Sequence, residues 1–325
     1  MGKIKRILNR SVMICVIAIV AIVLPFGCSS GDESTTPTTG NGEVYFTISD
    51  ASTDLQSVTK YEVTIDKVEA HVEGGSWTVI STESKTYDLI QLKNQNQIML
   101  VASSSIKAAN YDRVRCNVAK ATITDNTGVH QATLVKNTCE FDSRFEIKSD
   151  TKASVNLDFL ADKCLYLTTD GKYVMATSIR CETRNSAQIQ VSSNNEVQIS
   201  GGQTQTNAHY GMGMDGMMKS GFELAADAAL KIEGSAVVVI TGQAMFYGTV
   251  SSVNIGSQTL TCARAGGSAM TLNFASSTQL LINGTLSLLG LVDVSGQTGK
   301  PCWVVYDTTT NTCIKAFIGT GFTAS

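Results

Sequence analysis

From Gly42 onward the chain is broken into short segments in which apolar and polar residues alternate, with turn signals between them. A period of two puts successive side chains on opposite faces of an extended backbone, so the pattern commits most of this chain to β-structure. Along Lys60–Val72, Tyr61, Val63, Ile65 and Glu69 share one parity and Glu62, Thr64, Asp66 and Val68 the other, a mostly apolar face against a mostly polar one. EVYFTIS, SWTVIS, KTYDLIQL, QIMLVA, YDRVRCNVAKATIT, HQATLV, ASVNLDFL and KYVMATSIRC read as further strands. Glu73-Gly74-Gly75-Ser76, Asp125-Asn126-Thr127-Gly128 and Thr169-Asp170-Gly171 read as turns between strands. The spacing predicts an antiparallel β-sandwich over residues 43–184.

Strand density falls over residues 185–240, where a polar run leads into a Gly/Met-rich stretch, and this segment reads as a linker or loop. Glu223 to Glu233 (ELAADAALKIE) is the one passable helical pattern within it. Density returns with SAVVVITG, FYGTVSSVN, QTLTCA, AMTLNF, TQLLING, LGLVDVSG and CWVVYD, which predict a second, smaller β-barrel-like domain over residues 241–325. At 325 residues the chain is long enough for two domains, and three prolines with 16% charged residues suit a β-rich globular body.

The N-terminus addresses this body. Residues 1–27 carry Lys3, Lys5, Arg6 and Arg10 ahead of the apolar run Ser11–Phe26, in the arrangement of a secretory signal. At sixteen residues the run is shorter than the roughly 20 that a membrane-spanning helix needs. Leu24-Pro25-Phe26-Gly27-Cys28 resembles the bacterial lipobox, with Pro25 where that pattern usually has Leu. The resemblance implies cleavage before Cys28 and acylation of its thiol with diacylglycerol. Residues 28–42 continue as a polar Ser/Thr/Gly tether, a composition that behaves as a flexible coil. Ser29 after the cysteine implies, by analogy with lipoprotein sorting, the outer membrane, on its periplasmic or cell-surface face. Removing residues 1–27 leaves 21 positive against 28 negative side chains, a formal charge of −7 that disfavours a nucleic-acid partner.

Of nine cysteines, Cys15 leaves with the signal and Cys28 takes the lipid. Cys116, Cys139, Cys164 and Cys181 in the first domain are candidates for two disulfides in an oxidising compartment, with three connectivities open. Cys262, Cys302 and Cys313 in the second leave one thiol over.

His209, Met212, Met214, Met217 and Met218 form the densest unusual cluster. Thioether sulfur suits Cu(I), so a soft-metal site is one reading of the His209 to Met218 segment, and an adaptable contact loop is the other. Asp50, Asp54, Asp66, Asp158 and Asp162 offer oxygen ligands, yet no calcium-loop pattern joins them, and turn or strand-end capping is their ordinary role. His71, His130 and His209 are the only histidines, and none lies near a nucleophile elbow.

Ile48-Ser49-Asp50-Ala51-Ser52-Thr53-Asp54, VTIDKVEAHV with SWTVI, YDLIQL, VNLDFLADKCLYL and GKYVMATSIR carry a further likeness. On these segments residues 43–184 resemble the family catalogued as domain of unknown function 4382, found mostly in exported lipoproteins. The resemblance implies a β-sandwich and no particular activity. Gly248-Thr249-Val250 and Val292-Asp293-Val294-Ser295-Gly296 are similar to strands of small β-barrel domains in secreted proteins.

These readings combine into an expected function: a non-enzymatic cell-envelope lipoprotein, membrane-held through its lipid, that binds or scaffolds an envelope protein or a polysaccharide without a cofactor. Trp77, Trp303 and Tyr306 are candidate sugar platforms. Two other classes compete, a copper-handling lipoprotein using the Met-rich segment and a motif-poor hydrolase acting on surface polysaccharide.

Overall fold

A computed structural model describes residues 40–50, 58–263 and 268–319. The signal segment, Cys28, most of the tether and Asp54 lie outside the described residues. Strand outweighs helix by 67% to 6%, so the fold is all-β.

In chain order the first elements are β1 (Asn41–Asp50), β2 (Val58–Val72), β3 (Trp77–Ser81), β4 (Lys85–Asp88), α1 (Leu89–Gln95), β5 (Met99–Lys107) and β6 (Ala109–Asp125). There follow β7 (Gly128–Gln131), β8 (Thr133–Leu134), β9 (Thr138–Ile147), β10 (Lys152–Phe159), α2 (Ala161–Cys164), β11 (Leu165–Leu167), β12 (Tyr173–Met175) and β13 (Ser178–Asn185). One sheet has the order β1 beside β5 on one side and β10 on the other, with β13 next to β10. The facing sheet is built on β2 and β6, with β3 and β4 along β2 and β7 and β9 along β6. Val44, Phe46 and Ile48 of β1 and Val155 and Leu157 of β10 share a core with Tyr61, Val63 and Ile65 of β2 and Val114 and Val118 of β6. Each large apolar side chain so buried stabilises the sandwich by about 1.5–3 kcal/mol.

Contrary to the antiparallel expectation, β1 and β10 run parallel. Between them the chain builds most of the facing sheet, so it re-enters beside β1 by crossover rather than by hairpin, and a crossover delivers a parallel neighbour.

Residues 185–240 are not a linker. They form β14 (Gln188–Val191), β15 (Val197–Ser200), β16 (Gln203–Met212), β17 (Met218–Ser220), β18 (Ala228–Glu233) and the start of β19 (Ala236–Asn254). β16 adds to the first sheet beside β13, and β17 closes that edge. Its first half, QTQTNA, is mostly solvent-facing, so the polar composition marks an outer strand and not an unstructured one. The helical expectation for Glu223–Glu233 is also overturned. Ala228 and Leu230 are buried against β19 by strand alternation, and the Gly234-Ser235 turn, with Gly234 at φ +64°, returns the chain as a hairpin. Tertiary pairing here overrides Ala/Leu helix propensity.

YDLIQL divides. After β4, Asp88 caps α1 by accepting the N–H groups of Ile90 and Gln91, so the segment turns helical where a strand was expected.

The remaining elements are β20 (Thr259–Ala263), β21 (Ala269–Ile282), β22 (Thr285–Leu286), α3 (Leu291–Val294), β23 (Pro301–Asp307) and β24 (Thr312–Ile318). Strands β19, β20, β21, β24 and β23 pair in that order, and β23 pairs back to β19, closing a five-stranded barrel. Val292-Asp293-Val294 lies in α3, not in the expected strand: Leu291 and Val294, three apart, are buried together while Val292 is exposed. Cys302 and Val304 of β23 line the barrel interior, while Trp303 and Val305 face the other way into the sandwich core with Phe317 and Met245. Trp303 stacks on Phe317 with ring centres 4.4 Å apart. The barrel and the sandwich thus share one apolar cluster through the two faces of β23.

Candidate functional site

The family-like segments, far apart in sequence, meet at one end of the first sheet. Register places Ser49 of β1 opposite Asp158 of β10, Asp158 opposite Arg180 of β13, and Arg180 opposite His209 of β16. A row of four polar residues therefore crosses four strands. Ser49 Oγ donates to Asp158 Oδ1 at 3.0 Å and accepts from Asn156 Nδ2 at 3.1 Å, and Thr47 Oγ1 donates to Asn156 Oδ1 at 2.8 Å. Asp50 accepts the N–H of Ala161 at 3.3 Å where α2 starts. Asp50 and Asp158 are buried in this arrangement, and Asp66 lies elsewhere, bonded to Asn117 at 2.7 Å. Aspartate here caps and crosslinks strand ends, and no group of three or more His, Cys, Asp or Glu among the described residues is arranged to hold a metal ion.

Beside this row, Ser178 Oγ lies 2.8 Å from His209 Nε2. The Ser178 N–H donates to Cys164 Sγ at 3.1 Å, and the Cys164 thiol donates back to the Ser178 carbonyl at 3.2 Å. Burial holds His209 below its ordinary value, with Lys163 adding repulsion, so the imidazole is neutral near pH 7. A serine and a neutral imidazole at this distance have the geometry of a nucleophile and its base. Ser178, however, is 2% exposed and sits within a strand, so the pair serves as a crosslink between β13 and β16.

A second array covers the outer face of the other sheet. Arg115 Nε donates to Glu69 Oε2 at 2.7 Å, Arg113 Nη1 donates to Glu140 Oε1 at 2.9 Å, and His71 Nδ1 lies 2.7 Å from Asp112 Oδ1. Arg113 Nη2 approaches His71 Nε2 at 3.1 Å, so Nε2 accepts and the proton sits on Nδ1. Burial by itself would raise Glu69, but hydrogen bonds from Arg115 and Lys67 outweigh it and hold the carboxyl below the usual range. Trp77 of β3 lies under this lattice, with the Arg115 guanidinium 4.1 Å and the Arg113 guanidinium 5.3 Å from its ring centre. His71 meets its edge at 5.1 Å. Trp77 is thus already stacked, and Trp303 and Tyr306 are core residues, so none of the three expected sugar platforms is a bare exposed ring.

The Met-rich segment is the β16–β17 hairpin. Met212 and Met218 are directly paired and pack into the main core, Met214 packs against a separate small cluster, and Met217 points to solvent at 57% exposure. With His209 engaged by Ser178, the hairpin sends these groups to different places and does not converge them on one ion.

All seven described cysteines are free and buried. Burial pushes the Cys181 thiol up to about 12 and raises Cys164 and Cys313 as well. Of the connectivities left open by sequence, register brings one pair face to face: Cys116 of β6 opposite Cys139 of β9. His130 binds Asp125 Oδ1 at 3.1 Å, and Asp125 also accepts from Tyr173 Oη at 2.7 Å, which fixes the β6–β7 turn against β12.

Sequence reasoning missed the groove beside the β14–β15 hairpin, a hollow of about 490 Å³ lined by Asn96, Gln190, Glu196, Gln198, Ile98 and Ile199. Paired amides on Gln190 and Gln198, directly opposite in the hairpin, were its only signal and depend on the register.

Residues 41–177, which include the strand-end row as far as Asp158, match the family described as Domain of unknown function (DUF4382), so the sandwich contains a DUF4382-like domain. No curated protein and no solved structure matches the chain.

Proposed function

We propose that this chain, with its DUF4382-like domain over residues 41–177, is a non-enzymatic lipoprotein of the bacterial envelope, acylated on Cys28 and held at the outer membrane, that binds or scaffolds an envelope protein or polysaccharide. The observation that carries this reading is where the fold begins. β1 opens at Asn41, taking in the last two residues of the Ser/Thr/Gly tether that follows Cys28, and it is an interior strand of its sheet. A spacer of about a dozen residues at roughly 3.4 Å each reaches ~40 Å, enough to hold a folded body clear of a lipid headgroup layer. The outer face built on β2 and β6 offers partners a rigid lattice of paired charges, and the groove at Gln190 and Gln198 offers amides suited to neutral hydroxyls.

Intact mass spectrometry of the membrane-extracted protein, compared with Cys28→Ser, tests the anchor. A mature chain starting at a diacylated Cys28 is expected. A chain that is cleaved but lipid-free, or one that retains residues 1–27, would overturn the anchored reading. Glycan-array binding of wild type and Gln190→Ala then separates partner classes: loss of a sugar signal in the variant assigns the groove to polysaccharide, and no signal in either directs the search to a protein.

A further inference from the structure

We propose that Cys116 and Cys139 form a disulfide in the exported chain, a covalent link between β6 and β9. Both side chains face the sandwich core, both are fully buried, and the two residues are directly opposed in an antiparallel ladder. Opposed residues in such a ladder have Cα atoms about 4.5–5.5 Å apart, inside the roughly 4.4–6.8 Å that a disulfide spans.

No other pair has this placement. Cys262 and Cys302 also bring their thiols together inside the barrel, but Cys262 is opposite Val250 and Cys302 is opposite Gly248, so they lie on the strands either side of β19 and are not opposed in one ladder. Cys181 is opposite Leu157 and Ala208, Cys313 is opposite Tyr306 and Phe274, and Cys164 sits on α2.

The position of Cys139 provides a route for oxidation. It is the second residue of β9, and β9 pairs within its sheet only with β6, so opening of that strand end exposes its sulfur. The Cys116 thiol beside it also favours the Cys139 thiolate. The thiolate attacks one sulfur of a small-molecule or protein disulfide, giving a mixed disulfide and releasing one thiolate. Cys116, losing its proton to solvent, then attacks Cys139 sulfur and expels the second. The protein gives up two electrons and two protons, and the donor disulfide leaves as two thiols.

The link in the cell rests on the exported location proposed above, whereas the pairing rests on register alone, and two arms separate them. In the first, the full chain is refolded from the reduced denatured state in a glutathione redox buffer. In the second, it is extracted from membranes with acid trapping. Both samples are alkylated in denaturant and digested with trypsin. The expected product in both is a crosslink between the peptides CNVAK and NTCEFDSR, with Cys164 and Cys181 alkylated. Absence of the crosslink after refolding, or linkage of either residue to another cysteine, would overturn the pairing. Formation on refolding with free thiols in the extracted chain would support the pairing and overturn the oxidising location. As a second readout, closing this loop raises the folding equilibrium roughly 300-fold, a gain that reduction and Cys139→Ala should each remove.

Discussion

Arg115 lies over the indole of Trp77, 4.1 Å from guanidinium carbon to ring centre, while its Nε donates to Glu69 at 2.7 Å. One side chain thus shields an aromatic face and neutralises a carboxylate that is only 5% exposed. Arg115→Ala leaves that carboxylate buried with only Lys67 to meet it. The expected loss is about 2–3 kcal/mol in urea unfolding, and the double variant Arg115→Met with Glu69→Gln should recover part of it because no charge is then stranded. Equal loss in single and double variants would show that the lattice acts through packing and not through charge.

His209 gives the fold an acid-side weakness. Folded burial keeps its value below the ordinary ~6.5, so the unfolded chain binds the proton first. Its contribution is therefore intact above about pH 6.5 and is lost as pH falls through the folded value. The urea midpoint should decline between pH 7 and pH 5, and His209→Gln, which retains a hydrogen-bonding group toward Ser178, should flatten that decline. A slope unchanged in the variant would place the acid sensitivity elsewhere.

Trp303 is the largest fully buried side chain and belongs to the cluster shared by the barrel and the sandwich. Trp303→Ala should cost about 3–5 kcal/mol. Because that cluster is continuous, wild type should unfold in one calorimetric transition. Two resolved transitions in wild type would refute the shared core as a thermodynamic unit.

Leu288 and Leu289 are 90% and 66% exposed, beside exposed Leu286 and Val292. Replacing both with Ser should change stability by no more than about 0.5 kcal/mol each, since little is buried. It should also delay aggregation on light scattering, because an exposed apolar patch is removed. A large loss of stability would mean that the loop packs more closely than its exposure indicates.

Much of the architecture is legible in the residues. The parity of Tyr61, Val63 and Ile65 predicts the buried face of β2, and Asp125-Asn126-Thr127-Gly128 predicts the β6–β7 turn. β16 escapes because QTQTNA faces mostly solvent and lacks an apolar parity. α1 carried a readable signal in Asp88 followed three residues later by Gln91, a start pattern hidden by the apolar run around it. The row Ser49, Asp158, Arg180 and His209 depends on which strands neighbour one another, and no local pattern encodes that. The same holds for Cys116 and Cys139, whose opposition follows from a one-residue choice of register.

The interior position of β1 also sets how the body would respond to mechanical load. A pull arriving from the tether enters at Asn41, the first residue of a strand bonded along one side to β10 and along the other to β5. Tension directed along that strand strains both ladders in shear, so many hydrogen bonds resist together and do not peel one at a time. An edge strand in the same place would unzip from its end. Under the anchoring proposed above, a load carried through the tether would meet both ladders of β1 at once.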